Sequence, residues 1–376
     1  MSLRDIFCQD RGIGILQRGL AADRSAHAYI FAGPEGVGKY ATARQWARLL
    51  LCKNPRTEQI GPQPFADSCG VCESCTLLDA DSHPDYAHVY KELLRFTRDG
   101  KDRKPPVEVP IDVIREFLIE QVALRPSLSA RKVYILSEAE KLNASSQNAL
   151  LKVLEEPPRY CTIILLCTRL EKLLPTTRSR CQTIRFGPVE EGRIIPQLTK
   201  MGLAREPAEF FARLSGGSLG LACQWARLEL AGVGLFHIKK SVVASLAALE
   251  MIDALDLAEQ FLGYTKEVAS GWADLDKTTS KTDLNRRAQR TIIQVVLSGL
   301  HDAMILSVAG DRALVNSDQK KQIAELADRL DAEQASLRIS EGYEMLRWME
   351  ANVNERLIFE RLLLRLTPSA IMTPTW

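Results

Sequence analysis

The chain has 376 residues, of which 46% are hydrophobic and 26% are charged, values that are ordinary for a globular protein of about two to three domains. Lys and Arg (49 residues) nearly balance Asp and Glu (47 residues), and a net charge of +2 excludes a polybasic nucleic-acid-binding arm as the basis of function. No apolar run approaches about 18 residues and the N-terminal residues lack the apolar core of a signal peptide, so neither a membrane span nor secretion is expected.

The first half of the sequence alternates short apolar runs with helical patterns. The apolar runs have the length and the β-branched content of buried strands. The predicted elements are strands at Ala28–Ala32, Val133–Leu136 and Thr162–Leu166 and helices at about Tyr40–Leu51, Val113–Val122 and Ala144–Leu154. Strands that alternate with helices predict an α/β fold with a mostly parallel sheet covered on both faces.

After Phe186 the pattern predicts helices almost to the end of the chain. Breaks are predicted at Gly216 and Gly217, at Gly232 and Gly234, and in the polar stretch Lys277–Asp283. The sequence therefore predicts an α/β domain over residues 1–186, a small helical domain over 187–236 and a larger helical domain over 237–376. The segment Arg98–Pro106 is charged and rich in helix breakers, which predicts a surface loop.

A glycine-rich turn lies between the first predicted strand and the helix that follows. It contains Gly33, Gly36 and Gly38 and ends in Lys39. In this context glycines let backbone N–H groups close around phosphate oxygens, the helix N-terminus adds partial positive charge, and the lysine reaches the outer phosphates. The sequence therefore predicts a phosphate-binding loop and a nucleotide site, at least an ancestral one.

Two positions that would hold Mg²⁺ depart from a working nucleotide site. Tyr40 stands where a Ser or Thr hydroxyl normally binds the ion, and Thr42 comes two residues too late to replace it. Ser137 follows the second predicted strand where an Asp is expected, while Glu138 occupies the position of a water-activating carboxylate. Without the ion the charge of phosphoryl transfer is poorly neutralised. We expect no efficient hydrolysis, although Lys39 and the glycines can still hold a nucleotide.

Nine cysteines in a chain without a secretion signal indicate a reducing, cytoplasmic setting, where clustered thiols suggest a metal. Three of them are spaced at two-residue intervals, and a fourth lies at the end of the preceding helix. The four candidate ligands are Cys52, Cys69, Cys72 and Cys75. This set predicts a structural, tetrahedral Zn²⁺ site within a module of about residues 52–80, with His83 as an alternative ligand. An iron–sulfur cluster is the rival, but a bacterial ferredoxin run would have Cys-Pro where Asp79 and Ala80 stand.

Two arginines, Arg178 and Arg180, lie just before the α/β domain ends. One interpretation is a surface loop with solvated arginines. The other is an arginine finger, which stabilises negative charge on a nucleotide held by a neighbouring subunit. The residues alone leave both interpretations open.

Taken together, these features resemble the bacterial DNA polymerase III clamp loader, an AAA+ assembly. The resemblance spans most of the chain and is weak over residues 190–350. The residues that carry it are Gly33–Lys39, the four cysteines, His83-Pro84-Asp85, Arg131–Glu140, Asn148–Pro158, Leu174-Pro175, Ser179-Arg180-Cys181 and Asn352–Asn354. It implies an AAA+ fold, that is, a P-loop NTPase-type parallel sheet with a zinc-binding insertion, followed by a helical lid domain and an all-α collar domain.

The family contains gamma/tau subunits, which are ATPase motors, and delta-prime subunits, which commonly have a decayed nucleotide site. Tyr40 and Ser137 are similar to the delta-prime type. Gly220 agrees, because it stands at the sensor-2 position where a motor has an arginine that contacts phosphates, and Thr168 falls near the sensor-1 position. The resemblance therefore favours the delta-prime type over the motor type.

By this resemblance Arg180 is the finger offered to a neighbour, the four cysteines hold zinc, and Lys39 with its glycines forms a vestigial phosphate cradle. The implied partners are delta and gamma/tau subunits in a hetero-pentamer, a sliding clamp, and primer–template DNA reached through the complex. ATP and Mg²⁺ are doubtful at this chain's own site. The alternatives are an active gamma/tau-type ATPase and an AAA+ adaptor outside replication.

Overall fold

The computed structural model describes residues 2–60, 63–100, 106–277, 279–310, 314–350 and 354–367. The chain divides into two compact units: Met1–Glu190 with Ser218–Gly220, and Glu191–Gly217 with Leu221–Trp376. The first unit holds the predicted nucleotide and metal sites. The division of the chain into three domains stays a prediction.

The first unit is built on a five-stranded parallel sheet. Its strands and those of a separate hairpin are β1 Ala28–Ala32, β2 Arg56–Ile60, β3 Gln63–Asp67, β4 Tyr86–Val89, β5 Lys132–Leu136, β6 Cys161–Cys167 and β7 Gln182–Arg185. The order in the sheet is β4-β5-β6-β1-β7, while β2 and β3 pair antiparallel. Strands β5, β6 and β1 are buried along their whole length, which explains why their sequences are apolar without alternation.

Helices cover both faces of this sheet. They are α1 Asp10–Ala21, α2 Lys39–Leu51, α3 Glu73–Asp79, α4 Ile111–Ile114, α5 Glu120–Val122, α6 Ala144–Glu155 and α7 Pro175–Ser179. A π-helical turn, Arg115–Ile119, joins α4 to α5. The start of α6 is fixed by Asn143, whose side chain accepts the N–H of Ser146. The α/β prediction is confirmed, and so are the three predicted strands and three predicted helices, to within a few residues at their ends.

Alternate residues of the central strands face two hydrophobic layers. Ala28 and Ile30 of β1 belong to one layer, with α4 and α6. Tyr29 and Phe31 belong to the other, with α1 and α2. The carboxyl end of β1 is thereby held rigidly where the phosphate loop begins.

The second unit is helical, as predicted. Its helices are α8 Glu191–Lys200, α9 Arg205–Leu214, α10 Leu219–Leu230, α11 Leu235–Ala248, α12 Ala254–Leu275, α13 Lys281–Ala309, α14 Lys320–Arg329, α15 Ala332–Glu350 and α16 Glu355–Leu366. The first two residues of α10, Leu219 and Gly220, belong to the first unit. Helix α13 packs against α12, α14 and α15. It is long and apolar enough to cross a membrane by length and composition, but more than half of that stretch is buried, as in a core helix.

Four strands were not predicted from the sequence. β4 has only four residues and is half-buried for most of its length. β7 is an edge strand in which only Ile184 is buried, and the hairpin β2–β3 lies outside the main sheet. Residues 101–105 of the predicted loop Arg98–Pro106, and Asn352 and Val353, lie outside the described residues.

Candidate functional site

The phosphate loop follows β1 directly. Gly33 has a φ of 158°, and a Cβ at this position would lie 2.3 Å from the carbonyl oxygen of Phe186. Only glycine therefore lets the chain leave β1 so close to the end of β7. Gly36 and Gly38 also have positive φ, and helix α2 begins immediately after Gly38. The structure thus brings the predicted loop residues together in the geometry of a strand–loop–helix turn.

Lys39 is folded back onto its own loop. Its Nζ donates to the carbonyl oxygens of Gly33, at 2.6 Å, and Pro34, at 2.5 Å. The side chain is buried, and burial lowers the pKa of Lys39 while the carboxylates of Glu140 and Glu35 oppose that shift. The ammonium group that would otherwise reach phosphate oxygens is therefore hydrogen-bonded to backbone carbonyl groups of its own loop.

The apex of the loop is in contact with the segment Ser218–Gly220, which belongs to the same unit. The N–H of Gly220 donates to the carbonyl oxygen of Gly36 at 2.8 Å. A Cβ at position 220 would lie 2.9 Å from the Cα of Gly36. Any side chain here would require the loop to move, so the position cannot supply a phosphate-binding arginine with the loop in this conformation.

Tyr40 lies against aromatic side chains of the β4 region. Its ring centroid is 4.7 Å from that of His88, which is in turn 5.1 Å from the ring of Tyr90. Its hydroxyl is 3.5 Å from the hydroxyl of Tyr86. Thr42, the other hydroxyl near this point, donates to the carbonyl oxygen of Gly38 and is fully buried. The hydroxyls of Tyr40 and Thr42 are therefore both engaged within the protein.

Ser137 contacts the same histidine. Its Oγ is 2.8 Å from Nε2 of His88, and its backbone N–H donates to the carbonyl oxygen of Val89. Burial lowers the pKa of His88 to about 4, so the imidazole is neutral at pH 7. Mg²⁺ in such a site is held by a Ser or Thr hydroxyl at the start of the helix together with an Asp carboxylate. Here the first position is a tyrosine packed on His88, and the second is Ser137, which supplies no carboxylate and contacts His88. This set of donors does not fit the ion.

The two carboxylates after β5 point to different partners. Glu138 has a φ of 53° and is paired with Lys141 and, at 3.9 Å, with Lys91. Glu140 instead accepts the hydroxyl of Thr168 at 2.5 Å and its N–H at 3.2 Å. The carboxylate that hydrogen-bonds Thr168 and acts on Lys39 is therefore Glu140, which sequence analysis did not single out.

The four predicted cysteine ligands form a compact cluster. The Sγ atoms of Cys52, Cys69, Cys72 and Cys75 all lie within 4.8 Å of one another. Cys52 Sγ is 3.5 Å from that of Cys69 and 3.9 Å from that of Cys72. Four sulfurs about 2.3 Å from a tetrahedral zinc are separated by roughly 3.8 Å. The cluster therefore fits a metal ion such as zinc.

Backbone N–H groups in this cluster also stabilise the thiolate form of the cysteines. The N–H of Cys69 points to Sγ of Cys52, and the N–H of Cys72 points to Sγ of Cys69, each at 3.3 Å. Burial opposes ionisation of Cys72, but the N–H groups of Cys75 and Lys53 lower the pKa of Cys72 to about 6. Burial raises the pKa of Cys75 to about 12. A bound cation would remove this competition between crowded thiolates.

His83, the alternative ligand, uses both ring nitrogens elsewhere. Nε2 is 2.8 Å from Oγ of Ser74, which donates to the carbonyl oxygen of Leu51, and Nδ1 accepts the N–H of Asp85. Burial lowers the pKa of His83, which favours the neutral ring. His83 therefore supports the residue before Cys52 and lies outside the four-cysteine cluster.

Asp85, whose N–H bonds to His83, also fixes the segment that precedes strand β5. Its carboxylate accepts the backbone N–H groups of Ser127, Leu128 and Ser129 at 2.7–2.8 Å. Burial opposes ionisation, but these three donors hold the pKa of Asp85 below its usual range. The segment before β5 is thereby fixed to the start of β4.

Replacement of Asp85 by Asn is expected to lower the free energy of unfolding by about 3 kcal/mol at pH 7, because an amide leaves buried N–H groups facing another donor. The folded-state pKa is depressed, so this contribution is present above about pH 4 and is lost as the pH falls through the folded-state value. Urea denaturation at pH 7 and pH 3 measures it. The exposed Asp81→Asn change should cost less than about 1 kcal/mol, and equal losses would contradict the assignment.

Arg180 follows helix α7 and is one-third exposed. Its guanidinium is paired with Glu155 at 2.6 Å and donates to the carbonyl oxygen of Thr176 at 2.9 Å. Glu155 ends helix α6, so the arginine is held on two short helices of the rigid unit. The guanidinium is therefore held at the surface of the first unit, with Glu155 as its ion-pair partner.

Comparison with known proteins identifies the family. The family model described as "DNA polymerase III, delta subunit" matches residues 8–190, and the model of its C-terminal part matches residues 275–367. The chain is 35% identical over 238 residues to DNA polymerase III subunit delta' of Pseudomonas aeruginosa, which covers 63% of this chain and 66% of that subunit. The chain belongs to the DNA polymerase III clamp-loader family. The resemblance found from the sequence motifs is confirmed.

Other members of this family are similar over a smaller share of their length. The chain is 30% identical over 261 residues to DNA polymerase III subunit tau of Escherichia coli, covering 68% of this chain and 37% of that subunit. The match therefore spans less than two thirds of the length of these relatives. Among solved structures, the chain is similar to a gamma subunit-related protein of Thermotoga maritima, at 18% identity and a TM-score of 0.40 over 94% of this chain and 97% of that one. The parallel sheet, phosphate loop and helical second unit are those expected of an AAA+ protein.

Proposed function

We propose that this chain is a delta-prime-type subunit of the clamp loader, which loads a sliding clamp onto primed DNA. In this role it hydrolyses ATP weakly or not at all and supplies Arg180 to a nucleotide bound by a neighbouring motor subunit. The observation that carries the proposal is the joint engagement of Tyr40 and Ser137 by the neutral ring of His88. Both positions expected to hold the divalent cation are thereby occupied by side chains that contact His88, and neither supplies a carboxylate.

Two further contacts support a site without turnover. Lys39 is bound by its own loop, and Gly220 leaves no room for a side chain next to Gly36. Because the outer phosphates would have neither a free ammonium group, nor an arginine, nor a metal ion, the charge that develops in phosphoryl transfer would not be stabilised. The glycines of the loop remain able to cradle phosphates, so weak nucleotide binding is compatible with the proposal.

The remaining parts of the proposal follow from the family. The four cysteines would hold a structural zinc that fixes the segment after α2. The helical lid (187–236) and collar (237–376) would join delta and gamma/tau subunits in a cytoplasmic pentamer. The sliding clamp and primer–template DNA would be reached through that complex.

The isolated chain tests the first half of the proposal. Steady-state release of phosphate from Mg-ATP is expected to be no faster than for the Lys39→Ala variant, because the group removed already lies on backbone carbonyls. An active gamma/tau-type motor would instead show turnover that Lys39→Ala abolishes, and that result would overturn the proposal.

A further inference from the structure

A groove runs along the free edge of strand β7. It has a volume of about 900 Å³ and is bounded by α1 on one side and α7 on the other, with β7 between them. Cys8, Gln9 and Ile15 form one wall, and Leu170 and Pro175 contribute to the other. The groove contains none of the four cysteines. It shares Arg178 and Arg185 with a smaller neighbouring pocket that reaches Gly33 and Thr168 and also contains Glu171.

Three arginines line the groove. Arg11 from α1, Arg178 from α7 and Arg185 from β7 line it, and no Asp or Glu is among its lining residues. All three arginines are exposed, and within the described ranges none of them has an ion-pair partner. Arginine recognises carboxylates through two parallel N–H donors, so three arginines that line one groove favour a ligand with several carboxylates or phosphates.

The floor of the groove is an unpaired strand edge. The N–H of Phe186 donates to the carbonyl oxygen of Ala32, which fixes the alternation in the β1–β7 ladder. In a parallel ladder alternate residues bond to opposite sides, so the N–H and C=O groups of Thr183 and Arg185 face away from β1. No hydrogen bond to these backbone groups is found among the residues that the structure describes. Such an edge is a template for another strand.

We propose that this groove binds an extended, acidic segment of a partner protein, which adds as a strand to β7 and places its carboxylates against Arg11, Arg178 and Arg185. Strand addition supplies backbone hydrogen bonds for affinity, and the arginines supply charge complementarity. A nucleic-acid strand matches the arginines, but its sugar–phosphate backbone has no N–H to donate to the carbonyl groups of Thr183 and Arg185. The combination of strand edge and arginines therefore favours a peptide.

The first test uses a fluorescein-labelled octapeptide of alternating Glu and Val and the full chain, with binding followed by fluorescence anisotropy. The triple variant R11A/R178A/R185A is expected to lower affinity at least about tenfold. The triple variant R24A/R125A/R159A removes the same charge from exposed arginines outside the groove, and it should change affinity less than about twofold. Equal losses in the two variants, or no binding by the native chain at 0.1 M salt, would overturn the proposal.

The second test addresses the backbone. Thr183→Pro removes an N–H that faces the groove and leaves the pairing with β1 intact, as proline is tolerated on edge strands. It is expected to weaken the peptide at least about threefold, with an unchanged melting temperature as the control for folding. If that variant does not fold, the same peptide N-methylated at alternate residues should lose binding to the native chain. Strand addition would be refuted if the folded Thr183→Pro variant, or the N-methylated peptide where that variant does not fold, bound undiminished. It would also be refuted if an oligothymidylate bound more tightly than the peptide and lost affinity in the R11A/R178A/R185A variant.

Discussion

Replacing Arg180 by alanine is expected to reduce ATP hydrolysis by the reconstituted clamp loader while leaving its assembly intact. An arginine finger supplied from a neighbouring subunit typically contributes about a thousandfold or more to turnover. Under the proposed function, the motor site that receives Arg180 should therefore lose nearly all of its activity. Arg180 is one-third exposed and hydrogen-bonded at the end of α7, so its loss removes no core packing. Steady-state ATPase of the complex, with gel filtration to confirm assembly, measures the effect.

The matched control for this experiment is Arg159→Ala, which removes an exposed arginine of the same unit. It should leave the ATPase rate of the complex unchanged. A lysine at position 180 should restore only part of the rate, because an ammonium group lacks the paired donors of a guanidinium. If Arg180→Ala and Arg159→Ala give the same rate as the native chain, Arg180 has no role as a finger.

Removal of the metal is expected to have the largest effect on stability. The chain should purify with about one zinc per molecule, and a structural site of four thiolates contributes roughly 10 kcal/mol of binding free energy at pH 7. Cys75→Ser should therefore lose the zinc and melt at a markedly lower temperature. Metal analysis and thermal unfolding with and without a chelator measure these two quantities.

Cys8→Ser is the control for thiol chemistry, since Cys8 lies outside the cluster. This variant should keep its zinc and its melting temperature. Less than about half an equivalent of zinc in the native chain, or iron in its place, would contradict a zinc site of this kind.

The central strands were predictable because burial on both faces leaves β1, β5 and β6 apolar throughout. β7 was missed for the opposite reason. Only Ile184 is buried there, while Gln182 and Arg185 are exposed, so its local sequence does not differ from a polar connection. Its identity as a strand depends on β1, which lies about 150 residues earlier in the chain and supplies all of its pairing.

The candidate site was predictable where neighbours in sequence are also neighbours in space. The spacing of Cys69, Cys72 and Cys75 determined most of the cysteine cluster. His88 was missed because it meets Ser137 only through the pairing of β4 with β5. Sequence analysis placed the water-activating carboxylate at Glu138 and did not single out Glu140, because neither the left-handed backbone at Glu138 nor the hydrogen bond from Thr168 to Glu140 can be read from the local sequence.

The close approach of Gly220 to Gly36 affects whether a substitution could give this chain ATPase activity. One codon change to arginine at position 220 would put a Cβ 2.9 Å from the Cα of Gly36, so the restored side chain would first displace the loop that it has to serve. Replacing Tyr40 by Ser or Thr, or Ser137 by Asp, would restore only one of the two protein ligands expected for Mg²⁺. Under the proposed function, no single substitution among these three positions yields an active ATPase, because the contact between Gly220 and Gly36 and the two missing ligands would each have to change.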